Sequence, residues 1–410
     1  MFDLLTHSLD HVLKPHRTVI RADWELLRRG KQALQRTHST RSRLIRLAAA
    51  GAAIAATAAG SLTGSANAVP QSSSPVTTTV TTSVTQPVGA KADVVQLALT
   101  KARANGDRVA LVNSFSASPQ ATTSCSLVRN AWLISRFHAC ANATGIFRVL
   151  DARTGRELGK MTYTVHGDVT SRTGSKAFPY SLHFTRNSVS GAAAGAVISG
   201  SASASNATTR GNIPSQPLGA SGKASANFTF TSKVGRGKIL ASGATPKWIF
   251  TVPGATPSNP VSFPAPVVRC DNALKGYPRS YGCVFPQSKN VIQYSLSGYV
   301  KEVAKHIKDA QASGLPGAYG GRTVLQRLYD DRQIRRNRRT SCPDSLPRPA
   351  GKSCDEYAFA STYQGGALLG RFSRRMVNET QNTDAGRDLN KFYTVNRILN
   401  KDPFQVAIVR

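Results

Sequence analysis

The run Gly145-Ile146-Phe147-Arg148-Val149-Leu150 alternates apolar and polar side chains and breaks at Asp151-Ala152-Arg153-Thr154-Gly155. The alternation then resumes in Lys160-Met161-Thr162-Tyr163-Thr164-Val165. A period of two places every second side chain on one face of a strand, and Asp and Gly favour the turn between. Similar short runs recur at Tyr180-Ser181-Leu182-His183-Phe184, Ala226-Asn227-Phe228-Thr229-Phe230-Thr231 and Lys247-Trp248-Ile249-Phe250-Thr251-Val252. Repeated short strands at this spacing predict an all-β, sandwich-like domain over residues 96–255. The Gly/Ala/Ser-rich stretch from Ser188 to Ser205 reads as a long loop or weak edge strands within it.

The texture differs on both sides. Residues 69–95 are rich in Ser, Thr, Val, Pro and Gln, a linker composition. Residues 256–268 carry Pro257, Pro260, Pro264 and Pro266 and read as a second linker. From 269 to 410 helical periods appear. Val300, Val303, Ala304, Ile307 and Ala310 predict a helix over 297–312, closed by Gly314-Leu315-Pro316-Gly317. Val324, Leu325, Leu328 and Ile334 predict a second helix over 323–339. Phe404-Gln405-Val406-Ala407-Ile408-Val409 reads as a closing strand. The expectation is an α+β C-terminal domain preceded by the all-β domain.

The 410 residues carry 53 Lys+Arg against 21 Asp+Glu, a formal net charge of +32, with 40% hydrophobic residues. That apolar content suffices for packed cores and excludes wholesale disorder. The charge favours polyanionic partners, either nucleic acid or an anionic cell-wall polymer, over a small metabolite. No apolar run reaches the roughly 18 residues of a spanning helix.

Leu47 to Gly60 is a short Ala-rich run, preceded by Arg41, Arg43 and Arg46 and followed by Ser65-Ala66-Asn67-Ala68. Basic, apolar and small-x-small segments in that order predict a secretory signal within a leader at 1–68, and hence an extracellular protein. Residues 1–40, with Trp24, lie upstream of the basic segment. They read as a start placed too far upstream rather than an overlong signal.

All 6 cysteines follow the leader: Cys125, Cys140, Cys270, Cys283, Cys342 and Cys354. None shows the Cys-x-x-Cys spacing of zinc or redox motifs. They read as structural disulfides of an oxidising compartment, with sequential local pairing the simplest of the fifteen connectivities. His138, beside Cys140, and His166 and His183, on strand-like runs, read as structural. No Walker-A loop or Gly-x-Ser-x-Gly elbow is present.

The densest polar constellation is Cys354-Asp355-Glu356-Tyr357-Ala358-Phe359-Ala360-Ser361-Thr362-Tyr363-Gln364-Gly365-Gly366. Adjacent carboxylates suit a hard divalent cation, which takes oxygen ligands and substrate phosphate. Set among many Arg and Lys, such a cation suits phosphodiester hydrolysis, with the basic residues holding the polyanion. Arg335, Arg336, Arg338 and Arg339 are candidate phosphate contacts, although four guanidiniums in five residues cannot share one helix face.

This block resembles the signature of the NucA/NucB family of secreted deoxyribonucleases. His306-Ile307-Lys308-Asp309-Ala310 upstream, the Arg-rich stretch Arg332 to Arg339, Arg375-Met376-Val377, Gln381-Asn382 and Phe392-Tyr393 follow the same order, over roughly 285–410. The resemblance implies a metal-dependent endonuclease with little sequence preference, acting on DNA with Mg²⁺ or Mn²⁺. It implies Asp355 and Glu356 as catalytic or metal-binding carboxylates and His306 as general base or a nearby polar group. Arg375, Gln364 and Asn382 follow as substrate-binding residues. Two positions depart from the family pattern: Ala358 stands where Pro is common, and Gln364 where an acid is common. The competing expectation is therefore a non-catalytic extracellular polycation that binds DNA or wall polymer through a decayed nuclease domain.

Overall fold

The computed structural model describes residues 88–116, 125 and 132–410. The leader and most of the Ser/Thr/Pro-rich linker lie outside the described residues, as does the secretory signal expected within the leader.

The chain enters through helix α1 (Val88–Ala104). Its first turns occupy the end of the stretch whose composition suggests linker. Leu99 and Ala102 pack on Ala110, Val112 and Leu150, and that small apolar cluster gives the helix its anchor. Strands β1 (Val109–Ser116), β2 (Leu133–Ile134), β3 (His138–Asp151), β4 (Glu157–Thr170) and β5 (Ala177–Gly191) follow. Next come β6 (Val197–Ser205), β7 (Ala207–Arg210), β8 (Ile213–Gln216), β9 (Lys223–Ser232) and β10 (Ile239–Thr251).

These strands form two curved half-barrel sheets. One is ordered β1-β3-β4-β5-β9-β7, with β2 paired to β3. The other adds β11 (Val261–Ser262), β12 (Val268–Asp271) and β13 (Gly282–Val284), and is ordered β13-β12-β10-β6-β8 with β11 on β10. The alternation in the sequence is the cause. In β4, Met161, Tyr163 and Val165 are fully buried while Thr162, Thr164 and His166 face outward and are half-buried. The inner faces enclose one core containing Phe147, Tyr163, Phe184, Trp248, Phe250 and Phe263. Within it Trp248 Nε1 donates to Tyr163 Oη at 3.1 Å, and that hydroxyl donates to Asn113 Oδ1 at 2.8 Å. The Trp248 and Tyr163 tips so find partners, whereas Asn113 Nδ2 and Trp132 Nε1 are buried without one.

The Ser188–Ser205 stretch is neither a long loop nor an edge. It ends β5, makes a short 3-10 turn over Ala192–Gly195 and becomes β6, an interior strand of the second sheet. Its small residues answer to close backbone approach. A Cβ on Gly200 would sit 2.1 Å from the Lys247 carbonyl oxygen, and one on Gly159 would sit 2.5 Å from the Ala193 nitrogen.

The Pro-rich stretch leads back into the same core. β12 pairs with β10, β13 closes the hairpin, and Val268, Cys270, Cys283 and Phe285 are buried with the β residues. A second core begins at Ile292. Strand β14 (Val291–Ser295), helix α2 (Lys301–Ala312), β15 (Leu325–Gln326), helix α3 (Asp331–Ser341), the hairpin β16 (Lys352–Tyr357) with β17 (Ser373–Asn378), helix α4 (Glu379–Val395) and β18 (Pro403–Val409) build it. β18 runs parallel to β14 and antiparallel to β15.

The second helix is shorter than its apolar period predicts. Asp330 accepts a hydrogen bond from the Gln333 N–H at 2.9 Å and caps the helix there. Leu325 instead lies in a strand against Phe404, and Leu328 is buried beyond it.

A charged cluster joins the two cores. Arg397 is fully buried and binds Asp271 with two guanidinium nitrogens, Nε at 3.0 Å, and also Ser280 Oγ at 2.9 Å. Arg269 Nη1 donates to Asp402 Oδ1 at 2.7 Å. The Arg397 carbonyl accepts from Arg269 Nη2 at 2.6 Å and Arg136 Nη2 at 2.9 Å. Those two bonds hold Arg397 at φ 47°, a conformation L residues seldom adopt.

The cysteines pair sequentially, as Cys125–Cys140, Cys270–Cys283 and Cys342–Cys354.

Candidate active site

Strand β16 brings Asp355 and Glu356 into a cleft of about 700 Å³ between α3, α4 and the β16–β17 hairpin. Neighbouring residues on a strand project to opposite sides, so each carboxylate answers to a different helix. Asp355 meets α2, whose His306 Nδ1 lies 2.7 Å from Asp355 Oδ2. Glu356 meets α3, whose Arg338 Nε lies 3.8 Å from Glu356 Oε1. The Cys342–Cys354 disulfide ties the end of α3 to the residue before Asp355 and so fixes the distance between these elements.

His306 has no exposed surface and does not line the cleft. Its second nitrogen, Nε2, is 2.9 Å from Ser373 Oγ on β17. With Asp355 ionised, Nδ1–H donates to the carboxylate and the Ser373 hydroxyl donates to Nε2. Ser373 carries no motif signal; only the pairing of β16 with β17 brings it to the ring.

Both carboxyls bind their protons more tightly than an exposed acid does. Burial raises the pKa of Asp355, and the hydrogen bond from His306 works against it. Glu356 is pushed up to about 7, first by burial and then by the negative charge of Asp355, with Arg338 opposing. Two adjacent acids repel each other when both are ionised, and a cation relieves that repulsion. The donor set suits a hard divalent ion. Asp355 commits Oδ2 to His306, and Glu356 has only Arg338 as an ion-pair partner among the described residues. Asn382 Nδ2 donates to Ser353 Oγ at 3.0 Å and to the Cys354 carbonyl at 3.2 Å, so the amide is held at the same cleft. Carboxylate and amide oxygens are the ligands Mg²⁺ or Mn²⁺ takes.

Arg338, Arg339, Arg348 and Lys275 line the same cleft. Lys275 comes from the loop closed by the Cys270–Cys283 disulfide and pairs with Asp331 at 2.5 Å. Lys275 and Arg348 escaped the sequence reading because nothing local marks them; they reach the cleft through chain folding alone. Arg335 and Arg336 are exposed on α3 and do not line the cleft, as the helix period requires. Arg375 lies opposite Asp355 in the β16–β17 register and pairs with Asp309 at 2.9 Å. Gln364 stands outside the cleft: its Oε1 accepts from the Gln326 N–H at 2.8 Å and stitches the turn to β15. Ala358 is fully buried, and the Tyr357–Ala358 peptide is cis.

An acid pair beside arginines, among the helices and strands near the C-terminus, directs the comparison to nucleases. The family model for deoxyribonuclease NucA/NucB matches residues 320–407. The matched region holds α3, the Asp355–Glu356 pair, Asn382 and most of the closing strand, and it begins after His306. A NucA/NucB deoxyribonuclease domain thus occupies the C-terminal part of the chain, and DNA is the substrate such a domain implies. No curated protein and no solved structure matches the chain.

Proposed function

We propose that the chain is a secreted endonuclease that hydrolyses phosphodiester bonds of DNA with little sequence preference and with Mg²⁺ or Mn²⁺. The observation that carries this reading is the adjacent Asp355–Glu356 pair, the first buried and the second half-buried, which lines a cleft together with Arg338, Arg339, Arg348 and Lys275. Asp355, Glu356 and Asn382 would hold the ion, which supplies electrophilic stabilisation of the phosphoryl oxygens.

The chain's own residues do the rest. His306, held by Ser373, orients Asp355 from behind and does not reach the substrate. Glu356 would accept a proton from the attacking water through the carboxylate oxygen it does not lend to the ion. Arg338 and Arg339 hold phosphates on either side of the scissile bond, and their forked donors match that geometry. The half-barrel region, 96–255, is the preceding domain; it meets the cleft only indirectly, where its β10 pairs with β12 of the hairpin whose loop carries Lys275.

Three disulfides and a basic chain support an extracellular site of action. Among the described residues no helix is long and apolar enough to cross a membrane. The reading of a decayed nuclease rests on Gln364 and Ala358; Gln364 serves a backbone hydrogen bond away from the acids, and Ala358 is buried two residues after Glu356.

The test is nicking of supercoiled plasmid by the full oxidised chain with Mg²⁺, with Mn²⁺ and with chelator. Cation-dependent nicking that Asp355→Asn removes is the expected result. A folded chain that retains DNA but never cuts it, with either ion, overturns the reading.

A further inference from the structure

The outward face of the first half-barrel sheet carries a cluster that the nuclease reading leaves unused. His166 on β4 and His183 on β5 are directly opposite each other in the antiparallel register. Their rings stack with centroids 6.4 Å apart and 25° between planes. Asp168 lies two residues beyond His166, hence on the same face, and its Oδ2 is 2.6 Å from His138 Nε2 on β3. Three imidazoles and one carboxylate from three adjacent strands therefore meet on one rigid surface, far in sequence from the acids of the cleft.

We propose that His166, His183 and Asp168 form a binding site for a borderline divalent transition metal such as Zn²⁺, Ni²⁺ or Cu²⁺. The ligand chemistry sets the class: imidazole prefers these ions, whereas the all-oxygen set of the cleft prefers Mg²⁺ or Mn²⁺. The hydrogen bonds set the tautomers. His166 Nδ1 lies 2.9 Å from Asn142 Oδ1, an atom that only accepts, so Nδ1 carries the proton and Nε2 keeps its lone pair. Metal-binding histidines usually show this arrangement, one nitrogen fixed by an oxygen acceptor and the other turned to the ion. His138 does the same service for Asp168, holding one carboxylate oxygen and orienting the other.

Opposite positions on antiparallel strands lie about 4.5–5.5 Å apart at Cβ, and metal–imidazole bonds are about 2.0–2.1 Å. As placed, the ligand atoms of His166, His183 and Asp168 are not all within 4.8 Å of one another, and the proposal requires the exposed His183 side chain to rotate toward His166 and Asp168. Cys140 also stands close to His138 and Asp168, but its sulfur is committed to Cys125. The site therefore has no thiolate while that disulfide stands, and water completes the coordination.

The experiment is titration of the full oxidised chain with Ni²⁺ in excess Mg²⁺, which saturates the oxygen ligands of the cleft, with Cu²⁺ electron paramagnetic resonance in parallel. The expected result is one equivalent of Ni²⁺ and a spectrum split by two imidazole nitrogens. His166→Gln/His183→Gln abolishes both. His138→Gln weakens binding about tenfold, the effect of losing an orienting partner. Asp355→Asn leaves binding unchanged. Absence of binding, unchanged affinity in the double variant, or loss of binding in Asp355→Asn each overturns the proposal. All the substitutions on the sheet are at outward-facing positions, so secondary structure by circular dichroism remains that of the parent.

Discussion

His306 Nδ1 stands 2.7 Å from Asp355 Oδ2, inside a ring of contacts that leaves the imidazole no exposed surface. The histidine belongs to the scaffold of the carboxylate rather than to the wall of the cleft. His306→Ala removes the hydrogen bond that aims Asp355 and also leaves a buried void. Ser373→Ala is the milder probe, because it removes only the far partner. The expected outcome is a kcat about tenfold lower in Ser373→Ala with KM for DNA unchanged, and a larger loss in His306→Asn. A rise in KM alone would place Ser373 among the DNA contacts instead.

Glu356→Gln keeps the volume and the polar tip of the side chain but cannot take a proton. Plasmid nicking is expected to fall by at least about a hundredfold, as for loss of a general base. Electrophoretic retention of DNA stays at or above that of the parent, since a negative charge has left the cleft. Equal loss of binding and cutting would show that the substitution had damaged the fold.

The raised pKa of Glu356 also has a sign in stability. The group ionises near 4.5 when unfolded and near 7 in the fold. Between those values the native state holds the extra proton, so stability of the metal-free chain falls as pH rises from about 4.5 to 7. Above 7 no further change comes from this group. The whole effect is on the order of 3 kcal/mol at most. Urea midpoints in chelator at pH 5 and pH 7.5 measure it. In Glu356→Gln this decline is expected to shrink, and an unaltered decline would assign it to other acids.

Arg338 and Arg339 make different predictions from Arg335 and Arg336, the arginines of the same helix that do not line the cleft. Arg339→Ala is expected to weaken DNA binding and to lower the slope of log affinity against log salt by about 0.9 per lost duplex phosphate contact. Arg335→Ala and Arg336→Ala, outside the cleft, leave the slope near that of the parent. Binding titrations at several salt concentrations compare the three.

Arg397 and Asp271 tie the half-barrel region to the nuclease region as a fully buried pair. Removing one partner strands a buried charge. Arg397→Met is expected to cost about 3–5 kcal/mol, read from urea unfolding, and Asp271→Asn/Arg397→Met is expected to recover part of it. For the same reason a fragment beginning at residue 269 is expected to fold poorly. It lacks β10, against which β12 is zipped, and it exposes Val268 neighbours and Phe285 that the β core buries. Limited proteolysis of that fragment beside residues 88–410 shows the difference.

Local pattern determined much of this protein from the sequence alone. Alternating side chains place the strands from Phe147 to Trp248, because burial of one face needs only period two. The spacing of Val303, Ala304, Ile307 and Ala310 places the α2 helix, and nearby cysteines find one another because short loops close most readily. The acid pair at 355–356 was legible as chemistry, since few positions tolerate adjacent carboxylates beside apolar residues. Tertiary structure alone decided the rest. It drew the Ser188–Ser205 stretch into an interior strand, because close backbone packing selects the same small residues that loops favour. It set His306 behind Asp355 and Gln364 outside the cleft, brought Lys275 in from a distant hairpin, and gathered His138, His166, Asp168 and His183 onto one face. Each of these depends on which strands and helices become neighbours. That pairing is settled by the summed burial of many weak contacts across the whole chain, and no single stretch of sequence records it.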